Sequence, residues 1–193
     1  MGWVFISIAA AAFQTLRFML QKALSMGTLS AGGATLARFF YSAPFVVALA
    51  AGYWRWSGAV WPGYSGTFWA YALVGGLTQI LATWCVVALF AHRNFAVGIT
   101  FKKTEVVQTA IVGFVLLGDT VSAPGMAAIV LGLIGVLVLS DSSGGAGLRR
   151  FFNRAAGLGL LSGAFFAVSA VCYRGATLAV ASEDAFLRAV LAL

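Results

Sequence analysis

The sequence predicts an all-α protein, a polytopic bundle of membrane-spanning helices. Of its 193 residues, 62% are hydrophobic and only 9% are charged, and the mean hydropathy is +0.98. A typical soluble domain carries about 25% charged residues. Apolar stretches long enough to cross a bilayer alternate with short polar turns along the whole chain. These observations indicate an integral, multi-pass membrane protein.

Six apolar stretches have the length of a span, and the start of a seventh follows them. The predicted spans are residues 3–24, 34–53, 67–91, 94–117, 123–139 and 155–180, with the seventh stretch beginning after residue 184. Residues 53–64 are rich in Trp and Tyr, which is typical of a membrane interface. Residues 141–154 are glycine-rich and then basic, and form the most hydrophilic stretch. We therefore predict a first unit over 1–140, a linker over 141–154 and a second unit over 155–193.

The fourth predicted span carries three charges, on Lys102, Lys103 and Glu105. At 1.5 Å per residue, Lys102 lies about 12 Å into the span, where each charge costs about 2.5 to 3.5 kcal/mol. On a continuous helix Lys102 and Glu105 share a face, Gln108 lies at its edge, and Lys103 is turned about 100° away. Charges at this depth require partners or a wet cavity, and they indicate a functional site.

Two interpretations of the charged stretch stay open. In the first, Lys102 and Glu105 only neutralise each other and orient the helix, while Lys103 reaches the interface or another helix. In the second, Glu105 orients the substrate or couples transport to protons. A carboxylate in a cavity can change between its protonated and ionised forms when its access to water changes.

Polar side chains on the first three spans predict a cavity that they share with this pair. On the first span Gln14, Arg17 and Gln21 recur at helical spacing and mark one face. The second and third spans add an arginine and a glutamine on similar polar stripes. The candidate residues for substrate binding and translocation are Gln14, Arg17, Arg38, Gln79, Trp84, Lys102, Glu105 and Gln108.

Several functions are disfavoured by composition. The net charge of +7 comes from residues scattered among apolar runs, which argues against a nucleic-acid partner. His92 is the only histidine, and Cys85 and Cys172 stand alone inside spans, so we expect no metal site and no cofactor. The sequence contains no P-loop, which argues against ATP as the energy source.

An integral membrane enzyme that acts on a lipid-borne substrate is the alternative. In it, Glu105 and the neighbouring lysines would be the acid and base groups. The chain has only five carboxylates and no paired acidic motif, which favours a function other than catalysis.

A weak internal repeat supports a transporter plan. An offset of about 150 residues brings Lys22 opposite Arg174 and Arg38 near Arg188, in the same order of spans and turns. Because five helices are an odd number, a second copy is inverted in the membrane, as in many secondary transporters. We expect one full five-helix repeat and the start of a second, with roughly 100 residues of the second repeat absent from this sequence.

The end of the first unit resembles an EamA repeat of the drug/metabolite transporter superfamily. The resemblance rests on Gly113, on the Gly118-Asp119 turn, and on the glycine-spaced fifth span with Gly132 and Gly135. Family members usually have Gly-Glu at this turn, so Asp119 takes the acidic position. The resemblance implies ten helices in two inverted halves, which export small metabolites through a central cavity.

The function we expect is secondary-active export of small polar metabolites or drugs by alternating access, with protons as the coupling ion. We expect a bacterial inner (plasma) membrane as the location. The charged fourth span departs from the family, where this helix is often uncharged and contains proline, and it suggests a polar or charged substrate. Loop Lys and Arg residues number five on one side and two on the other. This bias puts the N-terminus outside, whereas the resemblance implies both termini in the cytoplasm.

Overall fold

The computed structural model describes residues 2–27, 29–58, 60–90, 95–140 and 154–193, and all regular secondary structure in these ranges is helical. The helices are α1 (Gly2–Gly27), α2 (Ala31–Ser57), α3 (Gly66–Phe90), α4 (Phe95–Lys102), α5 (Glu105–Leu117), α6 (Ala123–Ser140), α7 (Arg154–Ala179) and α8 (Ala185–Leu191). The predicted all-α class is confirmed. His92 and residues 141–153 of the predicted linker lie outside the described residues.

Four of the helices, α1, α2, α3 and α7, are long and apolar enough to cross a membrane. They correspond to the first, second, third and sixth predicted spans, and they fit an integral membrane protein. The fifth predicted span, 123–139, corresponds to α6 (Ala123–Ser140). Two other stretches differ from the prediction: the fourth span is divided into α4 and α5, and the seventh begins as the short α8.

Local signals set several helix ends. The Ser30 hydroxyl caps α2 by accepting from the amide of Gly33 at 3.1 Å. Gly118 ends α5 in the left-handed region with φ 69°, where a residue with a Cβ is disfavoured. The next residue, Asp119, accepts a hydrogen bond from Arg174 Nη2 at 2.9 Å, which ties this turn to α7. The acidic turn predicted from the sequence therefore has a partner on another helix.

Helix α7 lies at the centre of the bundle, with α3 on one side and α4 and α5 on another. Ser162 near its start donates to the carbonyl of Ala82 near the end of α3, at 3.1 Å. Farther along α7, Gly175 faces the ring of Tyr71 near the start of α3. The two helices therefore run antiparallel. In contrast, α1 and α2 leave most of their apolar side chains exposed, as spans that face lipid do.

Small residues allow α4 to approach α7 closely. A Cβ added at Gly159 would collide with the carbonyl oxygen of Gly98, and one at Gly98 would collide with a methyl group of Leu89. The second glycine of the predicted GxxxG pair, Gly163, faces the junction of α4 and α5. Residue numbers increase in the same direction along the two contacting segments, from Gly98 to Glu105 and from Gly159 to Gly163, so α4 and α5 run parallel to α7.

The position of α7 bears on the predicted division of the chain. The sequence assigns residues 155–193 to a second unit, and α7 of that unit packs against α3, α4 and α5 of the first. In the described residues α3 and α7 contribute to both hydrophobic clusters, one around Phe68 and Ala176 and one around Val86 and Phe166. The inverted repeat itself stays a prediction.

Candidate functional site

The interruption between α4 and α5 is the first element of the candidate site. The amide of Lys103 donates to the carbonyls of Ile99 and Thr100, at 3.2 and 3.0 Å. The amide and the hydroxyl of Thr104 both donate to the carbonyl of Phe101, at 3.1 and 2.7 Å. The bonds to Thr100 and Phe101 span three residues and tighten this turn, although the bond to Ile99 keeps the four-residue spacing of an α-helix. The predicted continuous helix over 94–117 is therefore wrong at this point.

The charges at the interruption suit the helix ends that carry them. Lys102 lies in the last turn of α4 and Glu105 in the first turn of α5. A cation is favoured at a helix C-terminus and an anion at an N-terminus, because of the aligned peptide dipoles. Lys102 Nζ and Glu105 Oε2 form an ion pair at 2.5 Å. The predicted pairing of these two residues is confirmed.

Aromatic rings from two other helices enclose the lysine. Lys102 Nζ lies 4.6 Å from the ring centroid of Phe166 on α7 and 5.8 Å from that of Phe18 on α1. At these distances the electron-rich ring faces attract the ammonium group. Only 8% of Lys102 is exposed, whereas Lys103, its neighbour in the chain, is exposed. The predicted turning away of Lys103 agrees with this difference.

Arg17 on α1 is the second cation at the site. Its guanidinium carbon lies 4.5 Å from the ring centroid of Phe18. The carboxylate of Glu105 attracts this guanidinium, and the guanidinium of Arg38 repels it. Its Nε and Nη2 atoms are buried and have no hydrogen-bond partner. One turn along α1, Gln21 is 4% exposed, and both polar atoms of its amide also lack a partner.

A chain of hydrogen bonds links α2, α3 and α7 beside these groups. Arg38 Nη1 donates to Thr83 Oγ1 at 2.7 Å, and this hydroxyl donates to the carbonyl of Gln79 at 2.8 Å. Ser169 Oγ on α7 donates to Gln79 Oε1 at 2.9 Å. Two predicted residues, Arg38 and Gln79, are therefore connected through a buried threonine.

Gln108 completes the set on α5. Its Nε2 donates to Thr104 Oγ1 at 3.0 Å, within the interruption. Its Oε1 atom is buried without a partner and faces Gly163 of α7. The predicted position of Gln108 at the edge of the charged pair agrees with these contacts.

Three of these polar groups lie at the same depth along their helices. Arg38, Thr83 and Lys102 are each seven residues from the end of their helix, counted from the start of α2, the end of α3 and the start of α4. Seven residues correspond to about 10 Å. Because α2 and α4 run antiparallel to α3, these three ends belong to one side of the bundle. The described groups therefore form a polar layer inside a membrane-spanning structure.

The structure brings six of the eight predicted residues into this layer and leaves two outside it. Gln14 and Trp84 have exposed side chains, with Trp84 exposed by 47%. Sequence reasoning did not include Phe18 and Phe166 in the site, since nothing separates them from other apolar aromatics. It noted Gln21 only as part of a stripe, although Gln21 is the most buried polar residue of α1.

Metal binding finds no support in the described part of the chain. There, no three His, Cys, Asp or Glu side chains come together as metal ligands would. Cys85 and Cys172 are buried free thiols.

Comparisons of the chain with protein-family models, with curated proteins and with solved structures give no match. The EamA resemblance therefore stays a prediction, and the chemistry of the polar layer carries the functional argument.

Proposed function

We propose that this protein is an EamA-like secondary-active transporter of the bacterial inner membrane, which exports small polar metabolites or drugs by alternating access. One observation carries the proposal: two short helices meet at a partly buried ion pair, about 10 Å inside the bundle. Transporters commonly bind polar solutes near the membrane midplane, where discontinuous helices direct their ends at the substrate.

The energetic cost of this arrangement supports a functional role. A charge at the centre of a span costs about 2.5 to 3.5 kcal/mol, and the layer holds Arg17, Arg38, Lys102 and Glu105. An ion pair compensates Lys102, but the Nε and Nη2 atoms of Arg17 stay without a partner. Ionisable groups retained at such a cost line solute or ion pathways in membrane proteins.

The interruption also supplies a place where the bundle can change shape. Only Lys103 and Thr104 separate α4 from α5, and both helices pack on α7 through glycine contacts. A change in the angle between α4 and α5 would separate Lys102 from Glu105. Alternating access requires such a movement around a site that stays near the midplane.

Glu105 is the proposed coupling group. Its side chain is 28% exposed, against 11% for the side chain of Lys102, so the carboxylate is the more accessible member of the pair. A carboxylate that loses its cation as the helices move would take up a proton, and it would release the proton when the pair forms again. Protons would thereby drive export.

Flux measurements on the purified protein in proteoliposomes test this proposal. Vesicles loaded with labelled amino acids, organic acids or nucleosides are diluted into buffer with or without a pH gradient. We expect efflux of at least one class that the gradient stimulates and that leaves the solute chemically unchanged. Lys102→Met should abolish the efflux, and Lys103→Met, the matched change at the exposed neighbour, should leave it intact. Conversion of a solute into a product would instead indicate an enzyme.

A further inference from the structure

The polar layer carries an excess of positive charge. At this depth the described residues Arg17, Arg38 and Lys102 are cationic and Glu105 is the anion, even without the exposed Lys103. The carboxylate is bound to Lys102 at 2.5 Å. Arg38 has a neutral partner, the hydroxyl of Thr83. The layer therefore carries two positive charges that no described anion balances.

Arg17 presents two free donors in a specific arrangement. Its Nε and Nη2 atoms, both buried without a hydrogen-bond partner, form one edge of the planar guanidinium. The two N–H bonds on that edge are nearly parallel, which matches the two oxygens of a carboxylate or phosphate group. A buried donor without a partner costs free energy, so this edge is complete only when an acceptor occupies it.

Gln21 extends the same surface. It lies four residues after Arg17, hence on the same face of α1. It is 4% exposed, and both its Nε2 donor and its Oε1 acceptor lack a partner. The amide can donate to an oxyanion and accept from a hydroxyl or amine of the same molecule. Two neighbouring side chains on α1 therefore offer unused hydrogen-bonding groups of complementary kind.

We infer that the substrate is a small oxyanion, which binds through a carboxylate or phosphate group to the Nε and Nη2 edge of Arg17 and to the amide of Gln21. This inference rests on the proposed function for its biological meaning, because it names the class of molecule that the transporter carries. Lys102 is already satisfied by Glu105 and two aromatic rings, so Arg17 is the primary anchor. Arg38 contributes long-range attraction.

The oxyanion comes from a water-soluble molecule and not from a lipid headgroup. Arg17 lies ten residues from the end of α1, which corresponds to about 15 Å. Headgroup phosphates lie at the membrane surface, outside a hydrocarbon core about 30 Å thick. A headgroup would therefore have to leave the surface and cross about half of that core to reach the guanidinium.

Thermal unfolding of the purified protein in detergent tests the site without relying on transport. Sodium phosphate and sodium succinate are compared with sodium chloride at equal ionic strength. We expect both oxyanions to raise the unfolding temperature by about 3 °C at concentrations well above the dissociation constant. Arg17→Met should remove this increase, and Arg17→Lys, which keeps the charge but loses the edge, should weaken binding about tenfold. Arg55→Met, at an exposed arginine, should leave it unchanged.

Three results would overturn the inference. The first is an absence of any increase for the wild-type protein with either oxyanion. The second is an increase that Arg17→Met, or Gln21→Leu if the former does not fold, leaves intact. The third is stabilisation by phosphatidylglycerol but not by the soluble ions. Flux measurements distinguish failure of this inference from failure of the proposed transport function. If the protein exports a cation such as lysine and the oxyanions have no effect, the proposed transport function stands and the oxyanion substrate is rejected.

Discussion

Lys102 and Glu105 form an ion pair across the two residues that separate α4 from α5, and Gly163 of α7 packs against that junction. A Cβ added at Gly163 would lie 3.3 Å from the carbonyl oxygen of Lys102 and 3.4 Å from the amide nitrogen of Glu105. The backbone at the ion pair is therefore in close contact with the central helix. Any change in the angle between α4 and α5 must alter this contact.

The first prediction separates a coupling role of Glu105 from a structural one. If Glu105 is the coupling group, Glu105→Gln gives a folded protein that exchanges substrate but does not respond to a pH gradient. If the pair is only structural, the same change leaves Lys102 without its anion and costs on the order of 3 kcal/mol of stability. Flux against an imposed pH gradient, with thermal unfolding in parallel, distinguishes the two.

The double variant Lys102→Met with Glu105→Gln provides the decisive comparison. A coupling role predicts that it stays insensitive to pH, because no titratable carboxylate is left at the junction. Restored pH-driven flux in the double variant would leave Glu105 with a structural role only. Glu183→Gln, a matched change at an exposed glutamate in the loop before α8, serves as the control.

The second prediction concerns the contact between α4 and α7. Gly159→Ala places a methyl group against the carbonyl of Gly98, so the helices must separate. Overpacking of this kind costs about 1 to 3 kcal/mol, and we expect a lower unfolding temperature in detergent. Gly157→Ala is the matched control, since nothing lies within 4 Å of its added Cβ. Equal stability of the two variants would contradict the close approach of α4 to α7.

The third prediction tests the link between α2 and α3. Thr83→Val keeps the shape of the side chain but removes the hydroxyl that accepts from Arg38 at 2.7 Å. A hydrogen bond to a charged group contributes about 1.5 to 3 kcal/mol, and we expect a loss of that order in unfolding free energy. Thr78→Val on the same helix removes a hydroxyl that bonds only to backbone. If both variants lose the same stability, Arg38 does not depend on Thr83.

The fourth prediction follows from the attachment of α8 to α2. Tyr53 Oη donates to Asp184 Oδ2 at 2.7 Å, and the amides of Phe186 and Leu187 donate to Oδ1. The tyrosine hydrogen bond, followed by that from Leu187, lowers the pKa of Asp184 below its ordinary value of 3.8. The stabilisation is therefore complete above pH 3.8 and is lost as the pH falls through the lowered value.

Hydrogen exchange of residues 185–191 as a function of pH checks this prediction. Tyr53→Phe removes the largest cause of the lowered pKa, so the release of α8 should begin at a higher pH than in the wild type. Tyr173→Phe is the control, because Tyr173 also bonds to α8, through the carbonyl of Ala189 at 2.9 Å, without touching the carboxylate. An identical pH dependence in all three proteins would reject the role of Asp184.

The sequence predicts the long spans because their signal is local. A run of about 20 apolar residues is required to cross the hydrocarbon core, and α1, α2, α3 and α7 each contain one. The interruption at Lys103 and Thr104 has no such signal. Lysine and glutamate favour helices, and the stretch lacks proline and glycine. Packing against Gly163, some 60 residues away in the chain, accompanies the break, and a local pattern does not contain that contact.

The candidate site also combines features that the local sequence predicts with features that depend on distant contacts. The cost of charge in hydrocarbon identifies Arg17, Lys102 and Glu105 from the sequence. Which part of a polar stripe becomes covered depends on where neighbouring helices begin and end. Gln14 is therefore exposed while Gln21, seven residues later on the same helix, is buried. Helical periodicity fixes the face of a residue but not its depth under other helices.

The central position of α7 has a consequence for biosynthesis. The ribosome makes α3, α4 and α5 first, and about 60 residues lie between the end of α5 and the end of α7. At about 5 to 20 residues per second, α7 follows about 3 to 12 s later. During that delay Gly98 of α4 has no partner on α7. Because Lys102 and Glu105 are only three residues apart, they can neutralise each other at once, before any later helix is available.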